Sequence, residues 1–111
     1  MSTVFGKIIA GELESNKLYE DEQLIVIEDI APQAPVHLLI IPKKAYRSIQ
    51  QIPADELAIV THVVKIAQKM ATLHKIEDNY RFLTNNGELA GQTVWHLHFH
   101  LIGGKSLGTI G

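Results

Sequence analysis

The chain contains no cysteine. That excludes disulfides, thiolate catalysis and cysteine-based zinc sites, and it fits a reducing compartment. No sign of charge dominates, since 10 Lys and Arg stand against 12 Asp and Glu for a formal net charge of -2. The basic residues are scattered, with "PKK" at 42–44 the densest cluster, so a footprint for nucleic acid is missing. Long apolar runs are missing too. The longest, "HLLIIP", cannot span a bilayer, and Lys7 and Glu12 interrupt the N-terminal segment before a signal-peptide core develops. Repeats, linkers and low-complexity segments are absent. What remains is 111 residues with 46% hydrophobic content, enough for one core. The expectation is one domain over residues 1–111, soluble and cytoplasmic, that binds neither nucleic acid nor membrane.

Periodicity supplies the elements. "TVFGKIIAGEL" spaces Val4, Ile8 and Ile9 as a short helix that ends in a Gly-containing turn. "KLYED" and "LIVIEDI" form a hairpin across a polar turn, and "VHLLIIP" is a further strand stopped by Pro42. From Ala54 to about His74, apolar residues recur at intervals of three and four in one long amphipathic helix, with Pro53 at its first turn. "NYRFLTN" and "VWHLHFHLI" return to strand character on either side of "NNGELAGQ". The order predicts an α+β domain with a mostly antiparallel sheet of about five strands, one long helix and one short one.

The segment "VWHLHFHLI" carries the chemistry. Side chains on a strand alternate between faces, so His96, His98 and His100 project together while Trp95, Leu97, Phe99 and Leu101 point to the core. Three imidazoles in phase opposite an unbroken apolar face are more than scattered surface histidines. They suit two chemistries: ligation of one zinc with an open position, or nucleophilic attack on phosphorus or a carbonyl by one neutral imidazole. The preceding "NNGELAGQTV" favours phosphorus. It offers small residues, backbone N–H groups, the amides of Asn85 or Asn86 and the Thr93 hydroxyl, a loop able to cradle an anion. "GGKS" mimics the end of a P-loop, but that motif needs glycine where Phe99 stands. His37 lies on a strand that can pair beside the histidines, and Asp29 can accept two hydrogen bonds from a ribose diol or simply form a turn. His62 and His74 receive no role.

These residues resemble the histidine triad (HIT) family, whose signature of alternating histidines is here "HLHFHLI". The likeness runs through "VFGKIIAGEL", "EDIAPQAPVHLLIIPKK", "NYRFLTNNG" and "AGQTVWHLHFHLIGGK", and is greatest to the Hint branch, the purine nucleoside phosphoramidases. The resemblance implies a HIT-like fold and a two-fold homodimer. It implies His98 as the nucleophile, His100 at the phosphate, and His96 and His37 in support. Asn85, Gly91, Gln92 and Thr93 match phosphate-binding positions, and Asp29 matches the ribose-binding acid. Val4, Phe5, Ile8, Ile27 and Ile30 resemble the purine pocket. The implied reaction cleaves the P–N bond of purine nucleoside phosphoramidates of AMP or GMP through a nucleotidyl-histidine, without cofactor or metal. A dinucleoside polyphosphate hydrolase and a non-catalytic nucleotide-binding regulatory module are the alternatives. Thr93 stands where many Hint members have serine, and "SLGTIG" stands where some relatives carry a longer aromatic tail that reaches the partner's site.

Overall fold

The computed structural model describes residues 3–110; Met1, Ser2 and Gly111, which the one-domain reading and the tail include, lie outside the described residues. Helix α1 (Val4–Ile9) opens where Thr3 Oγ1 accepts the Gly6 N–H at 3.1 Å. It buries Phe5 and Ile8. Strands β1 (Lys17–Glu20) and β2 (Leu24–Glu28) pair antiparallel as expected. Asp21 makes their turn, its Oδ1 accepting the N–H groups of Gln23 at 2.7 Å and Leu24 at 3.0 Å.

Strand β3 (Val36–Pro42) pairs with β2 and with β5 (Phe99–Gly103), and β4 (Tyr80–Leu83) lies outside β5. All pairings are antiparallel, in the order β1-β2-β3-β5-β4. The central β3 is covered on both faces, which explains its unbroken apolar run. Helix α2 (Ala58–Leu73) lays Ile59, Val63, Ile66, Ala67, Met70 and Ala71 on one face of the sheet, over Leu24, Val26, Leu38, Ile40, Leu97, Phe99 and Leu101. On the opposite face α1 covers a smaller cluster in which Phe5 and Ile8 meet Ile25, Ile27, Leu39 and Ile41. Gly103 is required at the end of β5, because a Cβ there would come within 2.9 Å of Ile76 Cδ1 and 3.1 Å of the Asn79 carbonyl. No helix among the described residues is long and apolar enough to cross a membrane.

Two boundaries differ from the sequence reading. The long helix starts at Ala58 rather than Ala54, because Pro53 is extended and Ala54–Glu56 form a separate 3-10 turn. The histidine strand is shorter than expected: only residues from Phe99 onward join the ladder. Pro42 has no N–H to offer a neighbour, its carbonyl is taken by His96 Nε2 at 2.7 Å, and the Leu97 N–H donates to the Tyr46 carbonyl at 2.7 Å. Those bonds turn the chain out of the sheet before β5 begins.

Candidate active site

The alternation survives the loss of the ladder. Leu97, Phe99 and Leu101 enter the α2 core, while His96 and His98 lie on the α1 face, edge-on to Phe5 with ring centroids 6.4 and 4.9 Å away. Trp95 departs from the expectation. It precedes the strand, is only half-buried, and stacks under the Arg47 guanidinium at 4.4 Å instead of joining the core. His37 reaches the cluster from β3, with Nε2 2.9 Å from His100 Nδ1.

Backbone groups determine which nitrogen of each ring carries its proton. A carbonyl can only accept, so a neutral imidazole bonded to one is protonated at that nitrogen. His96 is therefore an Nε2–H tautomer, donating to the Pro42 carbonyl. His98 Nδ1 donates to the His96 carbonyl at 2.8 Å, which leaves its Nε2 with a free lone pair. Thr84 steadies the same residue by donating its hydroxyl to the His98 carbonyl at 2.7 Å. Among the described residues every fully buried side-chain nitrogen or oxygen has a hydrogen-bond partner. Among those residues His98 Nε2 has no such partner, so it is not one of the fully buried atoms.

Electrostatics favour the neutral rings. Burial pushes His98 below the usual histidine range, with His96 adding to the effect and Asp29 and the His96 carbonyl opposing it. His96 is lowered by burial as well, against the pull of the Pro42 carbonyl. His100 goes furthest, down to about 4, through burial and then the neighbouring His98 and His37, with Asp29 pulling the other way. A neutral His98 with an exposed lone pair is a competent nucleophile at neutral pH.

The remaining expected residues fall into three groups. Asp29 sits at the cluster, with Oδ2 3.4 Å from His37 Nε2 and Oδ1 accepting the Ala31 N–H at 2.8 Å. It is both a turn-former and a carboxylate facing the imidazoles. Asn85 is half-buried beside Gly91, whose φ of +103° explains the glycine, and Thr93 is exposed. Gln92 differs from its expected role. Its buried amide is spent on the loop, accepting from the Gly87 N–H and donating to the carbonyls of Arg47 and Val94, so its side chain shapes the cradle instead of reaching into it. Asn86 likewise holds the Gln50 N–H at 2.9 Å. Of the expected pocket, Phe5, Ile8 and Ile27 are packed together, whereas Val4 is 45% exposed and Ile30 fully exposed. The tail segment is tied back to its own chain, Arg81 Nη2 donating to the Gly108 carbonyl at 2.8 Å.

A metal would not find the three triad imidazoles convergent, because His96 Nε2 is turned to Pro42. The group able to offer ligands is Asp29, His37 and His100, whose donor atoms lie within 4.8 Å of one another. Two tetrahedral ligands with bonds of about 2.0 Å stand about 3.3 Å apart. At 2.9 Å the two ring nitrogens are spaced to share a proton. Residues that sequence reasoning missed are Thr84, Pro42 and Gln33, whose N–H donates to His37 Nδ1 at 3.0 Å. Two of the three act through backbone atoms, which leave no side-chain signal.

Comparison with known proteins gives concordant matches. A family model described as the HIT domain matches residues 10–107. An uncharacterized HIT-like protein of Chlamydia trachomatis is 51% identical over 110 residues, 99% of each chain. Among solved structures, a HIT family hydrolase from Clostridium thermocellum superposes with a TM-score of 0.92 at 47% identity, covering 97% of this chain and 95% of the other. One from Legionella pneumophila gives 0.93 at 35% identity, covering 96% of both.

Proposed function

The chain belongs to the histidine triad family, and from that premise we propose that it is a hydrolase of the Hint type. Its substrate would be a purine nucleoside 5'-phosphoramidate, cleaved at the P–N bond. The observation that carries the reading is the His98 tautomer: Nδ1 is pinned to the His96 carbonyl, so the lone pair of a neutral ring lies on Nε2. The similarity to proteins described as HIT family hydrolases supports the reaction class.

In the first step His98 Nε2 forms a bond to phosphorus as the P–N bond breaks, and the leaving nitrogen takes up a proton from the solvated mouth of the site. His98 then carries positive charge against the phosphoryl group. His100, the Asn85 amide, the Thr93 hydroxyl and backbone N–H groups at Gly91 would hold the equatorial oxygens. In the second step water bonds to phosphorus as the bond from phosphorus to His98 Nε2 breaks, its proton passes to solvent at the mouth of the site, and the nucleotide and a neutral His98 are released. Asp29 would take the ribose diol. Phe5, Ile8 and Ile27 would floor the purine site, with Val4 and Ile30 at its rim. The two-fold homodimer belongs to the same proposal, and the exposed Leu57, just before α2, and Val64 on α2 are apolar positions open to it.

Intact-mass measurement after rapid mixing with an adenosine phosphoramidate tests the reading. An increase equal to one adenylyl group, absent in His98→Ala, is the expected result. Nucleotide affinity with neither adduct nor turnover would make the protein a binding module instead. Preferential cleavage of a dinucleoside polyphosphate would move it to another branch of the family.

A further inference from the structure

The loop joining β2 to β3 does more than carry Asp29. Its Gln33 N–H donates to His37 Nδ1 at 3.0 Å. A backbone N–H cannot accept, so His37 Nδ1 must be the unprotonated nitrogen and a neutral His37 must carry its proton on Nε2. That Nε2 faces His100 Nδ1 at 2.9 Å, which must then accept. The proton of a neutral His100 is left on Nε2, which has no protein partner among the described residues and is not fully buried.

We propose that the backbone amide of Gln33 is a positioning group for the active site: acting through His37, it fixes His100 as an Nε2–H donor and denies the His37–His100 pair a third proton. Every place for that third proton costs a hydrogen bond. On His37 Nδ1 it would confront the Gln33 N–H; on His100 Nδ1 it would confront the His37 N–H. The cluster therefore presents two complementary nitrogens, a lone pair on His98 Nε2 to attack phosphorus and an N–H on His100 Nε2 to receive a phosphoryl oxygen. Random tautomers would supply that combination in only a fraction of molecules, since each free imidazole exchanges between two.

Other charged and titratable groups surround the pair. His98 lies beside His100 on the same segment, with ring centroids 5.2 Å apart, and a positive charge on either disfavours one on the other. Asp29 acts in the opposite sense, its Oδ2 being 3.4 Å from His37 Nε2. Glu28 and His74 line a cavity of about 110 Å³ together with Asp29 and His37. Asp29 attracts a proton toward the pair, but it adds no acceptor for one on the Gln33 side, where its Oδ1 is held by the Ala31 N–H.

The consequence for catalysis rests on the phosphoramidase reading, whereas the tautomers can be tested without it. Long-range ¹H–¹⁵N spectra of the substrate-free protein at neutral pH report each ring nitrogen separately. The expected pattern is a pyridine-type Nδ1 and pyrrole-type Nε2 for His37 and His100, with the reverse for His98. A protonated Nδ1 on His37, or averaged shifts at both its nitrogens, would overturn the proposal even if the enzyme proved fully active. Gln33→Pro removes the N–H next to an existing proline, while Gln33→Ala keeps it. The proline variant should show averaged His37 shifts and a His100 titration raised by on the order of one pH unit, with the acid limb of kcat/KM following it. The alanine variant should retain the wild-type nitrogen pattern. Identical His100 titrations in a folded Gln33→Pro protein would also overturn the proposal. Fixed tautomers in a protein that cleaves no phosphoramidate would leave the wiring intact and reject the substrate instead.

Discussion

The two faces of the sheet share their strands and differ in what the strands meet. Under α2 the alternate side chains are aliphatic or aromatic and buried, Phe99 stacking on Phe82 at 5.4 Å with the rings 3° from parallel. Under the short α1 the same strands present a small apolar cluster and then imidazoles, whose hydrogen bonds go mainly to backbone atoms and to each other. The first face can lose a side chain only at the expense of the fold. The second can lose one at the expense of chemistry, because α2 and its core hold the strands whether or not His98 is present. On the proposed function, stability and reactivity are thus separated by the period-two geometry of one segment.

The sharpest way to break that comparison is to mutate neighbouring residues of opposite face. His98→Ala should lower phosphoramidate turnover by at least about three orders of magnitude, as for loss of a covalent nucleophile, with an unfolding midpoint near wild type. Phe99→Ala should cost about 3–5 kcal/mol, because Phe99 is 2% exposed and its neighbours can collapse only partly around the cavity. Urea unfolding and steady-state rates on the same preparations decide the matter. Should His98→Ala unfold as readily as Phe99→Ala, the separation of the two faces is wrong.

Much of this division was legible in the sequence, and the reason is periodicity. "HLHFHLI" fixes which residues share a face whether or not the backbone joins a ladder, so Leu97 and His98 fell on opposite sides although neither lies in β5. The β1–β2 hairpin, β3 and most of α2 followed from the same reasoning. Ends were harder to read, since the carbonyl of Tyr46 and the missing N–H of Pro42 decide where β5 starts, and neither is a property of the histidine segment. Gln92 and Asn86 resembled ligands in sequence because an amide that holds a loop and one that holds a phosphate are the same residue type; only the hydrogen bonds distinguish them.

Acid should act on the imidazole face next in size. His96, His98 and His100 are all lowered in the fold, so the unfolded chain binds their protons more readily. Their neutral burial leaves stability complete above the unfolded value of about 6.5, and stability is lost as pH falls from there toward about 4, the value of His100. For His100 alone the loss between pH 7.5 and 5 should be about 2 kcal/mol. Denaturant midpoints over that range, with His100→Gln as the variant that flattens the slope, measure it. A flat wild-type profile contradicts the assignment.

Asp29 gives a smaller and more selective effect. Asp29→Asn keeps an acceptor for the Ala31 N–H and so preserves the turn, while removing the charge beside His37. Loss of the charge should affect all substrates alike. Loss of a diol acceptor should add about a tenfold penalty, or about 1.4 kcal/mol, for ribonucleotides over 2'-deoxyribonucleotides. If kcat/KM falls equally with both sugars, Asp29 serves the turn and the imidazoles only.

The smallest effect belongs to an imidazole on α2 that a carboxylate holds. His62 Nε2 lies 2.6 Å from Asp21 Oδ2, which also accepts the Tyr19 hydroxyl at 2.9 Å, so the pair fastens α2 to the β1–β2 turn. Both side chains are about a quarter exposed, and solvent there screens the attraction. Burial alone would raise the Asp21 carboxyl, but the Gln23 N–H, His62, Tyr19 and the Leu24 N–H together bring it down to about 2. Its contribution is therefore present above the unfolded value of about 3.9 and lost as pH falls through that value toward 2, a window that begins where that of the buried histidines ends. A double-mutant cycle with His62→Ala and Asp21→Asn should yield a coupling below about 1 kcal/mol at neutral pH, since the turn bonds that Asp21 also makes cancel out of the cycle. A coupling of about 2 kcal/mol or more would show that the clamp behaves as a buried pair. The α2 face would then depend on a titratable contact, and its difference from the imidazole face would be one of degree.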